Sequence, residues 1–311
     1  MLLHEAPDFA DLVAVTARAH RIDPGLVEKD YWIMHGLWGL QQGGFTFELK
    51  GGTSLSKGYG LIRRFSEDID ILIHPDNDLP VGRNHNKPAH VEARRAFYDG
   101  LAERISIPGF HTVERDTAFD DARCRSGGIR LRYTEINPLP PGVKTGILLE
   151  AGFDQVAPNR PRLITSWAYE KAVESGLTDI TDNRAVDVPC YEPGYTLVEK
   201  LQTISTKFRN RQASGAMPQN FLRHYYDVYC LLADPDVQAF IGTEDYRTHK
   251  AKRFPKVDEP DLTRNEAFLL SDEQTRATCV AAFAATQALY YREQPSLDEI
   301  LHRIGRDLAR L

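Results

Sequence analysis

Cysteine is scarce: Cys124, Cys190, Cys230 and Cys279 are widely spaced in 311 residues, with no CxxC pair. That spacing excludes a disulfide framework and a zinc site, and the four read as reduced thiols. No apolar run reaches the ~18 residues of a membrane span, and the N-terminus lacks the basic, apolar and small-residue regions of a signal peptide. A cytoplasmic chain with no membrane partner is expected. Positive charge is not in excess. The 38 Lys and Arg stand against 44 Asp and Glu, a formal charge of −6, which excludes a chain that grips nucleic acid over its whole surface. A local basic groove is still allowed, from Arg123, Arg125, Arg130 and Arg132 or from Lys200, Lys207, Arg209, Arg211 and Arg223, each of which otherwise reads as a solvated face. Internal repeats and low-complexity tracts are missing. His85 and His90 lack a metal-ligand spacing and the HExxH pattern, so they read as solvent histidines.

What the chain does have is FELKGGTSLSKGYGLIRRFSEDIDILI, from Phe47 to Ile73. Phe45, Phe47 and Leu49 alternate with polar residues and predict a strand over 45–50. Gly51-Gly52 then allows a tight turn into a helix begun by Thr53 or Ser54, whose free N–H groups and positive end suit a triphosphate. The segment lacks G-x-x-x-x-G-K-[ST], which argues against a P-loop NTPase. A second strand over 69–73 places Ile69, Ile71 and Ile73 on one face and Asp68, Asp70 and Leu72 on the other. Paired carboxylates of this kind suit Mg²⁺, usually bound by one or two carboxylates plus substrate phosphates. A lone DxD is more often a solvated or capping pair. Joined to the GG-[TS] turn, it reads as a nucleotidyltransferase site.

Around this motif, helices are predicted over 9–20 and 24–41, the second capped by Asp23 with Pro24 in its first turn. A polar stretch, 74–90, reads as an exposed loop, followed by a helix over 91–105 and strands over 111–115, 129–134 and 146–150. Alternation at Ile129, Leu131 and Tyr133 gives a half-buried strand with Arg130 and Arg132 on a basic face. The Pro/Gly-bearing segment 188–194 marks a boundary, so two domains are expected, 1–190 and a helical 191–311. Leu197, Leu201, Ile204 and Phe208 define an amphipathic helix that carries Lys200. The next, over 221–232, packs through Leu222, Tyr225, Val228, Tyr229 and Leu232, with Arg223 and Asp227 four apart on the opposite side. Further helices are expected over 265–291 and 297–310, and 248–262 reads as a surface loop.

GGTSLSKGY, RFSEDIDI, VEKDYW (Val27–Trp32), YTLVEKLQTISTKFRN and FLRHYYDVYCLL together resemble the AbiEii/AbiGii group of nucleotidyltransferase toxins. That group includes the Men-type tRNA-modifying toxins and lies within the DNA polymerase β-like superfamily. The resemblance covers about two thirds of the chain. It implies an α+β fold, a polymerase β-like mixed sheet with flanking helices and a C-terminal helical lobe. It implies that Glu28, Lys29 and Asp30 support the active-site lobe; their alternative is a solvated first helical turn. Glu150, at a strand end, stands where the superfamily's third acidic residue follows, and is otherwise a solvent residue. Lys200 would contact nucleotide phosphates and Asp227 would help build the site; without the resemblance, the two read as a surface lysine and an Arg223–Asp227 ion pair worth a few tenths of a kcal/mol.

The implied reaction is attack of an RNA 3′-hydroxyl on the α-phosphate of an NTP. Asp68, Asp70 and Glu150 would hold Mg²⁺, Gly52, Thr53 and Ser54 would cradle phosphates, and Lys57 and Lys200 would add charge. A tRNA acceptor end, growth arrest and a separately encoded antitoxin are implied as well. An acidic surface leaves room for a small-molecule or protein acceptor, and a non-catalytic nucleotide-binding module is the reading from another class. Ser66 shares the face of Asp68 if the strand extends that far. A phosphate there would bring roughly −1.5 to −2 charges beside the carboxylates, a control point; its plainer role is a backbone hydrogen bond or turn cap.

Overall fold

Short runs of alternating or apolar residues pair into one mixed seven-stranded sheet, ordered β3-β4-β5-β2-β1-β7-β6. The computed structural model describes all residues except 76, 77, 83, 155–157, 219, 292 and 293. The strands are β1 (Phe47–Lys50), β2 (Asp68–Ile73), β3 (Thr112–Asp116), β4 (Ser126–Arg132), β5 (Ile147–Gly152), β6 (Asn159–Ile164) and β7 (Ala185–Tyr191). At the sheet's centre β2 runs antiparallel to β1 and parallel to β5, and β1 runs parallel to β7. With flanking helices, the architecture is α+β.

The chain divides into two compact units. Unit 1, residues 1–59 and 65–191, holds the sheet with α1 (Phe9–His20), α2 (Pro24–Gln42), α3 (Gly51–Thr53), α4 (Pro88–Arg104) and α5 (Trp167–Glu174). Asp23 caps α2 by accepting from the Gly25 N–H at 2.8 Å. That helix is buried nearly all round, against β2, β5 and β7, which is why it shows little amphipathic contrast. Unit 2 contains α6 (Pro193–Ser214), α7 (Arg223–Leu231), α8 (Pro235–Phe240), α9 (Glu244–Arg253), α10 (Glu266–Leu269), α11 (Glu273–Ala284) and α12 (Leu297–Gly305). α6 is its hub, touching α7, α8, α9 and α10. Unit 2 also gathers in residues 60–64, fixed by a bridge between Arg64 and Tyr290 and by the Tyr291 hydroxyl donating to the Ile62 carbonyl at 3.0 Å.

Several expected elements differ. β6 and α5 were not anticipated, and the segment read as a boundary from 188 is in part β7. β6 is an edge strand with Arg160, Pro161 and Arg162, a composition that blunts edges and hides the alternation. Pro189 of β7 pairs opposite Pro161 of β6. The helix expected over 265–291 is broken, because Leu270 adopts a left-handed φ of +43° and Asp272 caps a fresh start at Glu273 by accepting from the Thr275 N–H. Residues 248–253, expected in a loop, continue α9 from its Thr243 cap. Of the expected 74–90 loop, residues 76, 77 and 83 lie outside the described residues. No described helix is long and apolar enough to cross a membrane.

Candidate functional site

The two aspartates occupy one face of β2, half-buried, while Ile69 and Ile71 are buried behind them. Register extends that face across the sheet: Asp70 is paired with Lys50 on β1 and with Glu150 on β5, and Asp68 with Leu148. Glu150 is therefore the cross-strand neighbour of Asp70, also half-buried. The turn after β1 closes over the same place. Gly51 has a left-handed φ of +69°, and a Cβ there would stand 2.1 Å from Asp70 Oδ2, so no side chain fits between turn and carboxylate.

From Gly51 the chain runs through α3 directly into a π-turn, Ser54–Gly58. The side chains of this segment face inward. Thr53 Oγ1 donates to the Asp68 carbonyl at 2.5 Å, and Ser54 is fully buried. What Gly52 and Thr53 can offer an anion is therefore their backbone, whereas the Ser54 N–H, expected to join them, already donates to the Gly51 carbonyl. Lys57, expected to supply phosphate charge, is instead paired with Asp30 at 2.7 Å, with its ammonium 4.9 Å from the centre of the Trp167 ring.

Glu28, Lys29 and Asp30 overturn the solvated-turn alternative, because all three are buried. Each side chain ties α2 to a different segment. Glu28 accepts from the Ile136 and Asn137 N–H groups at 2.9 Å each. Lys29 donates to the Lys144 carbonyl and lies 3.9 Å from Glu67, the neighbour of Asp68. Burial pushes the Lys29 ammonium down to about 8, against the pull of Glu67 and Asp68. Asp30 holds Lys57 and accepts from the Trp167 N–H at 2.9 Å; burial raises its carboxyl despite Lys57. Ser66 lies before the start of β2 at Asp68, so the strand parity that would have aligned it with Asp68 does not extend to it.

In unit 2, Asp227 is fully buried rather than on the outer side of its helix. Its partner is not Arg223 but Arg64, which donates from Nε and Nη2 to the two carboxylate oxygens at 2.7 Å each. Lys200 Nζ adds a third contact at 3.0 Å. Burial alone would raise the Asp227 carboxyl, yet Arg64 and then Lys200 hold it below the usual carboxylate range. Arg64 was missed because its partner lies 163 residues away.

The two basic clusters are largely tied up internally. Arg130 pairs with Asp116 and Arg132 with Glu114 across β3–β4, which neutralises the expected basic face. Arg123 and Arg125 bind Asn86, and Arg209 binds Asp258. Among the described residues no three His, Cys, Asp or Glu side chains form a group that could hold a metal. Asp68 and Asp70 still offer hard oxygen donors on one face, a set that fits Mg²⁺ completed by substrate phosphates.

A family model described as nucleotidyl transferase AbiEii toxin, type IV TA system, matches residues 37–303. No curated protein sequence matches the chain. Among solved structures, an antigenic nucleotidyltransferase-like protein from Paracoccidioides brasiliensis aligns at 16% identity over 82% of this chain and 93% of that one. Its TM-score is 0.34.

Proposed function

The chain belongs to the nucleotidyl transferase AbiEii toxin family of type IV toxin–antitoxin systems, and from that premise we propose that it transfers an NMP from an NTP to an RNA 3′ end. A tRNA acceptor end is the proposed acceptor, with translation and growth blocked as a result and a cognate antitoxin as regulator. The observation that carries the reading is the Asp68/Asp70 face with the Asp70 carboxylate packed against Gly51. Carboxylates and phosphate-binding backbone thus meet at one point.

In this reaction the RNA 3′-hydroxyl attacks the α-phosphate, a new phosphodiester forms and pyrophosphate leaves. Asp68 and Asp70 would hold Mg²⁺ completed by substrate phosphates, with Glu150 their neighbour on β5 rather than a third member of a preformed group, and the ion when bound would supply acidification of the hydroxyl and charge neutralisation of the leaving group. The N–H groups of Gly52 and Thr53, at the positive end of a helical turn, orient the triphosphate. Lys57 acts through Asp30, keeping that turn in place. Asp227 orients Lys200, whose remaining ammonium protons are the ones offered to phosphate. Unit 1 serves as the nucleotidyltransferase domain and unit 2 as an accessory helical domain.

The test incubates purified protein with each α-labelled NTP, Mg²⁺ and total RNA, and follows pyrophosphate and label. Label on RNA 3′ ends supports the proposal. Pyrophosphate release with unlabelled RNA would redirect it to a small-molecule or protein acceptor. No release with any NTP would leave a nucleotide-binding module.

A further inference from the structure

One face of α9 departs from the acidic character of the chain. Arg247 and Ala251 are four apart on one helical face, Lys250 flanks it, and Phe254 follows as the extended C-cap residue of the helix. Together with Pro255, Lys256, Asp258 and Pro260 they line an open cavity of about 360 Å³ within unit 2. Its floor is apolar and aromatic, and its rim is cationic.

The one carboxylate in the lining does not oppose an anion. Asp258 is buried and accepts from Arg209 at 2.5 Å and from the Thr206 hydroxyl, so its charge is answered from behind the groove. Arg247 donates from one guanidinium nitrogen to the Gly242 carbonyl at 2.5 Å and pairs through the others with exposed Glu244, an i,i+3 contact that water and salt exchange readily. Lys256 is exposed. Lys250 is fixed by donating to the Leu311 carbonyl, and its ammonium lies 5.5 Å from the Phe254 ring centre. An aromatic ring beside cations combines the two features by which single strands are held, base stacking and phosphate contact.

We propose that this groove binds single-stranded RNA, one base against Phe254 and the flanking phosphates on Arg247, Lys250 and Lys256. The choice of RNA rests on the acceptor proposed above. An acidic peptide would use the cations but has nothing to stack on Phe254.

The experiment measures fluorescence anisotropy of a labelled twelve-nucleotide RNA with the full chain across salt concentrations. In R247E/K256E the affinity falls tenfold or more, and the salt slope drops by about 0.7 per lost cation. K87E/K252E carries the same change of charge on exposed lysines outside the groove and stays within about twofold of wild type. Phe254→Ala weakens binding about fivefold or more, whereas Phe254→Tyr keeps it. The groove assignment is overturned if wild type does not bind RNA, if R247E/K256E binds like K87E/K252E, or if polyglutamate outcompetes RNA. Transfer to a three-nucleotide acceptor, assayed in parallel, separates the two ideas. Groove-dependent RNA binding without transfer sinks the catalytic reading alone, and transfer with groove-independent binding sinks the groove alone.

Discussion

Arg64 and Asp227 form a two-pronged ion pair, Nε to Oδ1 and Nη2 to Oδ2, with both residues buried and Lys200 on the same carboxylate. The helical pattern of 221–232 had placed Asp227 on an outer face, where its loss would cost little. The structure reverses that expectation, since removing it strands two buried cations.

Asp227→Ala should therefore destabilise the protein by about 3–5 kcal/mol, the range for breaking one side of a buried pair. Denaturant unfolding of the full chain reads it. Because the carboxyl is held low in the fold, its contribution is present above the ordinary carboxylate range and is lost as pH falls through the folded value. The gap between wild type and variant should close in strong acid. An unchanged midpoint at neutral pH would refute the assignment.

Gly51→Ala should harm activity more than stability. The left-handed φ costs the new side chain about 1 kcal/mol, but its Cβ must also displace the Asp70 carboxylate from 2.1 Å. A fall in pyrophosphate release of about a hundredfold, the effect of a small misplacement of reacting groups, with a melting temperature lowered by a few degrees is expected. A fully active variant would show that the position of Asp70 does not matter.

Asp70→Ala should abolish transfer, by about 10³-fold or more if the carboxylate helps hold a metal worth several kcal/mol. The half-buried side chain carries no core packing, so circular dichroism and melting should be near wild type. In a bacterial host the wild type should slow growth and the variant should not. Near-normal turnover would end the mechanism proposed for Asp68 and Asp70 alike.

Acid should weaken unit 1 before most carboxylates titrate. His35 Nε2 lies 2.7 Å from the Pro108 carbonyl and Nδ1 2.9 Å from the Asn183 amide nitrogen, a setting that selects the neutral ring. Burial, more than any neighbour, pushes its imidazole down to about 4. Between pH 6.5 and 4 the unfolded chain binds a proton that the folded one refuses, so stability falls with pH by about 3 kcal/mol. Nearby His4, also pushed down by burial, adds to the same slope. An NMR titration showing His35 protonating near 6.5 would contradict this.

The carboxylate face and the turn that meets it were legible because both are local: strand alternation fixes which way Asp68 and Asp70 point, and glycine marks the turn. α1 and α2 were equally clear, down to Asp23 as cap. What stayed hidden depends on distant partners. Nothing near Lys57 announces Asp30, nothing near Asp227 announces Arg64, and the basic look of β4 vanishes only when Asp116 and Glu114 arrive from β3. β6 was unreadable for another reason: edge strands carry the arginine and proline that a strand pattern excludes.

The five residues from Gly60 to Arg64 also bear on how this molecule can be inherited. Neither unit is encoded by one uninterrupted stretch of gene. A C-terminal fragment begun at Glu192 would carry Asp227 and Lys200 without the arginine that answers them. Recombination at that boundary between diverged relatives would pair an arginine segment from one parent with an aspartate helix from the other. The half that bears the DxD strand and the half that bears the helices are thus bound to evolve as one piece.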